Sequence, residues 1–179
     1  NLKDNDLTFK ACKSLVRDYH FTGLGRDRLK KHGLVIEHLG VMSIAQCLSK
    51  NSTLRTLNLS QARLGLHAFW ELGKHISMNN TLLRLYLSNI VETNVDYLIG
   101  SDGMEAFCSC FDDNTQWSLT ELDLSGQKIG DQGAAYLSNL LAKNENVRRN
   151  LLYLNLKDND LTFKACKSLV RDYHFTGLG

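Results

Sequence analysis

A chain of 179 residues with 43% hydrophobic and 22% charged residues sits in the ordinary range for one folded unit, and nothing in this composition suggests disorder. No run reaches the roughly 18 to 20 consecutive apolar residues that span a bilayer, and Asn1-Leu2-Lys3-Asp4 lacks the basic-then-apolar pattern of a signal peptide. The expected compartment is therefore cytoplasmic or nuclear, with no membrane partner. A net charge of +2 conceals an uneven distribution: from Leu85 to Gln127 there is no lysine or arginine, while Glu92, Asp96, Asp102, Glu105, Asp112, Asp113, Glu121 and Asp123 are acidic. The flanks are basic.

In chain order the first feature is a duplication. Asn1 to Gly25 recurs letter for letter as Asn155 to Gly179. Next comes a unit around Gly40, Ile44 and Leu48 with helical spacing and no clean strand block. Four clear units follow, each opened by a leucine block: Leu54-x-x-Leu57-x-Leu59, Leu82-x-x-Leu85-x-Leu87, Leu119-x-x-Leu122-x-Leu124 and Leu151-x-x-Leu154-x-Leu156. Leucines two apart share one face of an extended segment, so each block predicts a strand. After each block, apolar or small residues recur at steps of four: Leu64, Ala68, Leu72, Ile76; Ile99, Gly103, Phe107, Phe111; Ile129, Gly133, Leu137, Leu141; and Leu161, Ala165, Leu169, Tyr173. That spacing predicts one face of a helix. The small residue early in each helix is expected to admit the strand layer closely. Asn51, Asn79, Asn114 and Asn144 are expected to end the helices in the left-handed conformation. About seven extra residues between Leu87 and Ile99 predict a loop.

These blocks resemble the leucine-rich repeats of the ribonuclease inhibitor, Ran GTPase-activating protein and NOD-like receptor group, with Leu119 to Asn144 the nearest to consensus. The resemblance implies an α/β solenoid, a horseshoe with parallel strands on the concave face and helices on the convex face. It also implies a ladder asparagine after each strand. That residue is present at Asn159 and Asn5 but is Ala62, Ile90 and Gln127 elsewhere. Residues 1–179 read as a single array of about five to six units. Neither end shows a polar cap, so the chain reads as a window of a longer array with ends prone to self-association.

No catalytic constellation stands out. His20, His32, His38, His67, His75 and His174 form no zinc-protease motif, and Gly23-Leu24-Gly25 lacks the context of a dinucleotide fingerprint. Cys12, Cys47, Cys108, Cys110 and Cys166 read as free thiols, Cys108-Ser109-Cys110 as core packing rather than a metal pair. The run Arg26 to His32 reads as a solvated face, not a nucleic-acid site. Sequons at Asn51, Asn58 and Asn79 are short enough to arise by chance. No enzyme activity, cofactor or metal is expected.

Strand residues between the leucines must point away from the helices, and polarity alone explains the serines and threonines among them. Arg84, Tyr86, Glu121, Asp123, Tyr153 and Lys157 rise above that, since tyrosine and arginine carry much interface energy. With Glu92 and Asp96 of the inserted loop they form the candidate partner-binding set. The expected function is a protein-interaction scaffold whose concave face and acidic loop form a continuous negative surface for a basic partner. Alternatives are a regulator of a small GTPase, as the resemblance to Ran GTPase-activating protein allows, and a structural element of a larger repeat assembly.

Overall fold

The computed structural model describes residues 38–62, 64–89 and 98–172. Helix α1 (His38–Leu48) comes first, then β1 (Thr56–Asn58), α2 (Gly65–Ile76), β2 (Arg84–Tyr86), α3 (Gly100–Cys108), β3 (Glu121–Asp123), α4 (Gly130–Lys143), α5 (Glu145–Asn150), β4 (Tyr153–Asn155) and α6 (Phe163–Asp172). The four strands form one parallel sheet in the order β1-β2-β3-β4. The expected parallel sheet with a helix after every strand is present. Helices pack on helices in the same succession, α1 on α2, α2 on α3, α3 on α4 and α4 on α6. No helix among the described residues is long and apolar enough to cross a membrane.

The leucine blocks become the core because alternation aims them one way. Leu57, Leu85 and Leu122 stand in register and are fully buried, as are Leu87 and Leu124 two residues on. They meet the helix faces carrying Leu72, Phe69, Phe107 and Leu137. Phe69 and Phe107 stack at 4.5 Å between ring centroids, Phe111 lies 5.1 Å from Phe107, and Trp117 closes the cluster 4.9 Å from Phe111. The Trp117 indole N–H donates to the Leu119 carbonyl at 2.7 Å, so the ring is buried without an orphaned donor.

The small residues early in the helices serve a neighbour other than the strand layer. A Cβ on Gly133 would lie 2.9 Å from Ile129 Cβ and 3.2 Å from Met104 Cγ of α3, and one on Gly103 would lie 2.8 Å from Ile99 Cγ2 and 3.6 Å from Phe69 of α2. They let adjacent helices close on each other. The helices begin without side-chain caps at Leu64, Ile99 and Ile129. Instead Gly100 (φ 63°) and Gly130 (φ 60°) take the left-handed conformation that favours glycine, and their N–H groups donate to Gln127 O and Asn159 O of the following unit.

The asparagines after the helices also differ from expectation. Asn51, Asn79 and Asn144 are not left-handed, and their side chains capture backbone instead. Asn79, 4% exposed, accepts from the N–H groups of Thr81 and Leu82 and donates to Leu48 O and Asn51 O of the preceding unit. Asn144 donates to Asp112 O and Thr115 O and accepts from Val147 N–H, which caps the unanticipated short helix α5. Asn114 is exposed and does not join this series: its turn is held by Asp112, which accepts from Asn114 N–H and the Thr115 hydroxyl. With both amide hydrogens committed in the interior, Asn79 is closed as a glycosylation acceptor in the folded chain.

After the strands a second amide ladder runs. Asn159 accepts from the N–H groups of Gln127 and Ile129 and donates to Leu124 O. Gln127, read from the sequence as a departure from the ladder, fills it: its amide donates to Leu87 O and its oxygen accepts from Ile99 N–H. The extra methylene of glutamine is accommodated, and the side chain is fully buried. Ile90 and the inserted loop fall outside the described residues, as does the first copy of the duplication, Asn1 to Gly25.

Candidate functional site

The sheet face turned away from the helices gathers the strand residues that are not leucine. Register places Thr56, Arg84, Glu121 and Tyr153 side by side in one row and Asn58, Tyr86, Asp123 and Asn155 in the next. Five of the eight sequence candidates, Arg84, Tyr86, Glu121, Asp123 and Tyr153, are thereby brought onto three adjacent strands. Lys157 follows two residues after β4 and is exposed. Glu92 and Asp96 lie outside the described residues.

Within this face two contacts fix the charged groups. The Tyr86 hydroxyl donates to Glu121 Oε2 at 2.5 Å, diagonally across strands. That hydrogen bond, then burial, then the carboxylate's charge, raises the Tyr86 phenol above its ordinary value of 10.0, so it is a donor at neutral pH. Arg84 leans the other way, its Nε donating to Thr56 Oγ1 at 2.9 Å. Arg84 and Glu121 are thus register partners with the guanidinium turned toward β1 and the carboxylate toward β2. Tyr153 is 54% exposed and flanks Glu121 on the other side.

Sequence reasoning missed a division of labour along the second row. Asn58, Asp123 and Asn155 each accept, through Oδ1, the N–H two residues on, at Ser60, Ser125 and Lys157. This is the local turn that short polar side chains make at the end of a strand. Asp123 Oδ1 also accepts from the Ser125 hydroxyl at 2.7 Å. Asp123 is therefore a turn former with one carboxylate oxygen left over, and only β2, with Tyr86 at that position, departs from the pattern. The signal was legible as Asn or Asp recurring four residues after the first leucine of a block.

Among the described residues the acidic side chains fall on different elements. Glu121 and Asp123 are on the sheet, Asp102 and Glu105 are exposed on α3 in the helix layer, and Asp112 and Asp113 sit in the turn between. The Thr115 hydroxyl, followed by the backbone amides of Asn114 and Thr115, holds the Asp112 carboxyl below its usual range. On the sheet Glu121 has Arg84 as its register partner on β2 and the neutral Tyr153 on β4, while Asp123 stands between Tyr86 and Asn155. The acidic residues are dispersed because neighbours in sequence are separated by the strand-turn-helix path into different layers.

Among the described residues no three His, Cys, Asp or Glu side chains converge to hold a metal ion. Cys108 and Cys110 are free, and burial, the main cause, pushes the Cys108 thiol up to about 12. Thiolates rather than thiols react with alkylating reagents. At pH 8, exposed Cys47 and Cys166 are expected to be carbamidomethylated by iodoacetamide well before Cys108, as peptide mass analysis would read; early labelling of Cys108 would contradict its burial.

Residues 118–138, which contain β3, its turn and the first part of α4, match a family model described as Leucine Rich repeat. No curated protein matches the chain. The matched stretch is thus similar to a leucine-rich repeat, and β2 and β4 pair with it leucine to leucine on either side.

Proposed function

We propose that the whole chain is one leucine-rich-repeat solenoid of the ribonuclease-inhibitor-like type, acting in the cytoplasm as a binding scaffold without catalysis of its own. Its recognition surface is the concave sheet face, with Arg84, Tyr86, Glu121, Asp123, Tyr153 and Lys157 in contact with a partner protein and Glu92 and Asp96 of the inserted loop at its border. The observation that carries this reading is the cross-strand row Arg84, Glu121 and Tyr153, backed by the Tyr86 to Glu121 hydrogen bond. Two tyrosines and an arginine beside half-buried carboxylates are the residue types in which binding energy concentrates. A carboxylate held by a neighbour's hydroxyl has less freedom to lose on binding. The partner presents basic side chains to Glu121 and Asp123.

The test removes charge without removing shape. Glu121→Gln keeps an acceptor for Tyr86, and Asp123→Asn keeps the acceptor for Ser125. A lysine at either position would break the turn or the cross-strand bond and confuse the result. With a partner captured by the immobilised chain and identified by mass spectrometry, the double variant should associate about 3- to 10-fold more slowly than the original at 0.1 M salt. The difference should fade at 1 M, where the screening length falls from about 10 Å to about 3 Å. An equal association rate at low salt would remove the two carboxylates from the interface.

A further inference from the structure

Charge on the sheet face is sorted by strand. In the first row Thr56 of β1 is neutral, Arg84 of β2 is cationic, Glu121 of β3 is anionic and Tyr153 of β4 is neutral; in the second row the charged residue is Asp123, again on β3. The positive charge of the two rows therefore stands on β2 and the negative charge on β3, neighbouring strands about 4.8 Å apart. Arg84 and Glu121 are register partners, yet each is held by a neutral hydroxyl instead of by the other. Arg84 Nε donates to Thr56 Oγ1 at 2.9 Å, and Glu121 Oε2 accepts from the Tyr86 hydroxyl at 2.5 Å.

What remains open on these side chains is specific. With Nε engaged, Arg84 keeps the end-on pair Nη1 and Nη2, whose N–H groups match the two oxygens of a carboxylate. Glu121 keeps Oε1, and Tyr153, 54% exposed, stands beside it on β4. Neither the Nη groups nor Oε1 has a hydrogen-bond partner among the described residues. Arg84 is exposed, and β2 and β3 are the inner strands of the described sheet, each flanked on both sides. We propose that the segment recognised on this face is dipolar: it sets a carboxylate on the Arg84 fork and, one strand over, a basic side chain on Glu121, so that its acid lies toward β1 and its base toward β4. This rests on the reading of the sheet face as the recognition surface and adds the identity and order of the charges. The physical reason is mutual exclusion. A purely basic segment that reaches Glu121 must bring like charge against Arg84, and a purely acidic one meets like charge at Glu121 and Asp123. A segment with both signs satisfies both strands, and Tyr153 supplies aromatic surface beside the basic side chain.

A displayed library of random peptides, selected on the immobilised 179-residue chain, tests the proposal. The best-enriched peptide is then titrated by fluorescence polarisation against the chain and against Arg84→Gln, Arg84→Lys, Glu121→Gln and Tyr153→Ser, each with its far-UV circular dichroism matched to the original. Enriched peptides are expected to combine an acidic with a basic residue. Arg84→Gln should weaken binding about tenfold, the size of one charge-assisted contact, and Arg84→Lys should weaken it less, because the charge stays while the fork is lost. Replacing the peptide's acid by its amide should cost a similar factor with the original chain and nothing further with Arg84→Gln. Peptides that bind through Glu121 and Tyr153 yet carry only basic residues, and are indifferent to Arg84→Gln, would overturn the dipolar order and leave the recognition face standing. A library that yields no binder, or binders indifferent to all of the variants, would overturn the face itself and this inference with it.

Discussion

Replacement of Phe107 by alanine is expected to lower the unfolding free energy by about 3 to 5 kcal/mol, the usual range for removing a buried aromatic ring. Phe107 is fully buried and touches three other rings: parallel to Phe69, tilted against Phe111, and edge-on to Trp117 at 6.4 Å. Those rings come from α2, from the turn just after α3 and from the segment before β3, so the residue joins two units and their connection. The cavity cannot collapse easily, because Gly73 of α2 already brings backbone against this ring: a Cβ there would lie 2.8 Å from Phe107 Cδ2. Urea unfolding followed by circular dichroism and by the fluorescence of Trp70 and Trp117 together would measure the loss. Phe107→Leu, which retains most of the volume, should cost less than half as much. A loss below about 1 kcal/mol for alanine would show that the cluster packs more loosely than its geometry states.

Asn79→Ala should cost about 2 to 4 kcal/mol, since it strands Thr81 N–H and Leu82 N–H on one side and Leu48 O and Asn51 O on the other in a buried turn. The informative control is Asn114→Ala. Asn114 occupies the matching place in the periodic pattern but is exposed, and its substitution should fall within about 0.5 kcal/mol. Equal losses from both substitutions, read from denaturant midpoints, would mean that the asparagines act through local turn propensity. The expected inequality would assign the stabilisation to the bonds that Asn79 makes to the preceding unit.

Much of this architecture was legible before any coordinates. Leu57, Leu85, Leu122 and Leu154 fix four strands because a period of two in a short apolar block leaves few alternatives. The steps of four from Leu64, Ile99 and Ile129 fix the helices behind them. Helix α5 was not legible: six residues with a single buried side chain, Val147, give no periodicity, and only the capping asparagine at position 144 marked it. The roles of Gln127 and the asparagines after the helices were misread because a pattern compares letters, whereas an amide ladder needs only a donor and an acceptor that reach the neighbouring backbone.

The candidate site divides in the same way. Alternation by itself determined which residues leave the core, and so named Arg84, Tyr86, Glu121, Asp123 and Tyr153 correctly as residues of one sheet face. Only the tertiary structure decided how they are arranged, because that depends on parallel register between strands about 30 or more residues apart in sequence. Register put Tyr86 within reach of Glu121, turned Arg84 toward Thr56, made Asp123 a turn former, and dispersed an acidic segment that is continuous in sequence over a sheet, a turn and a helix.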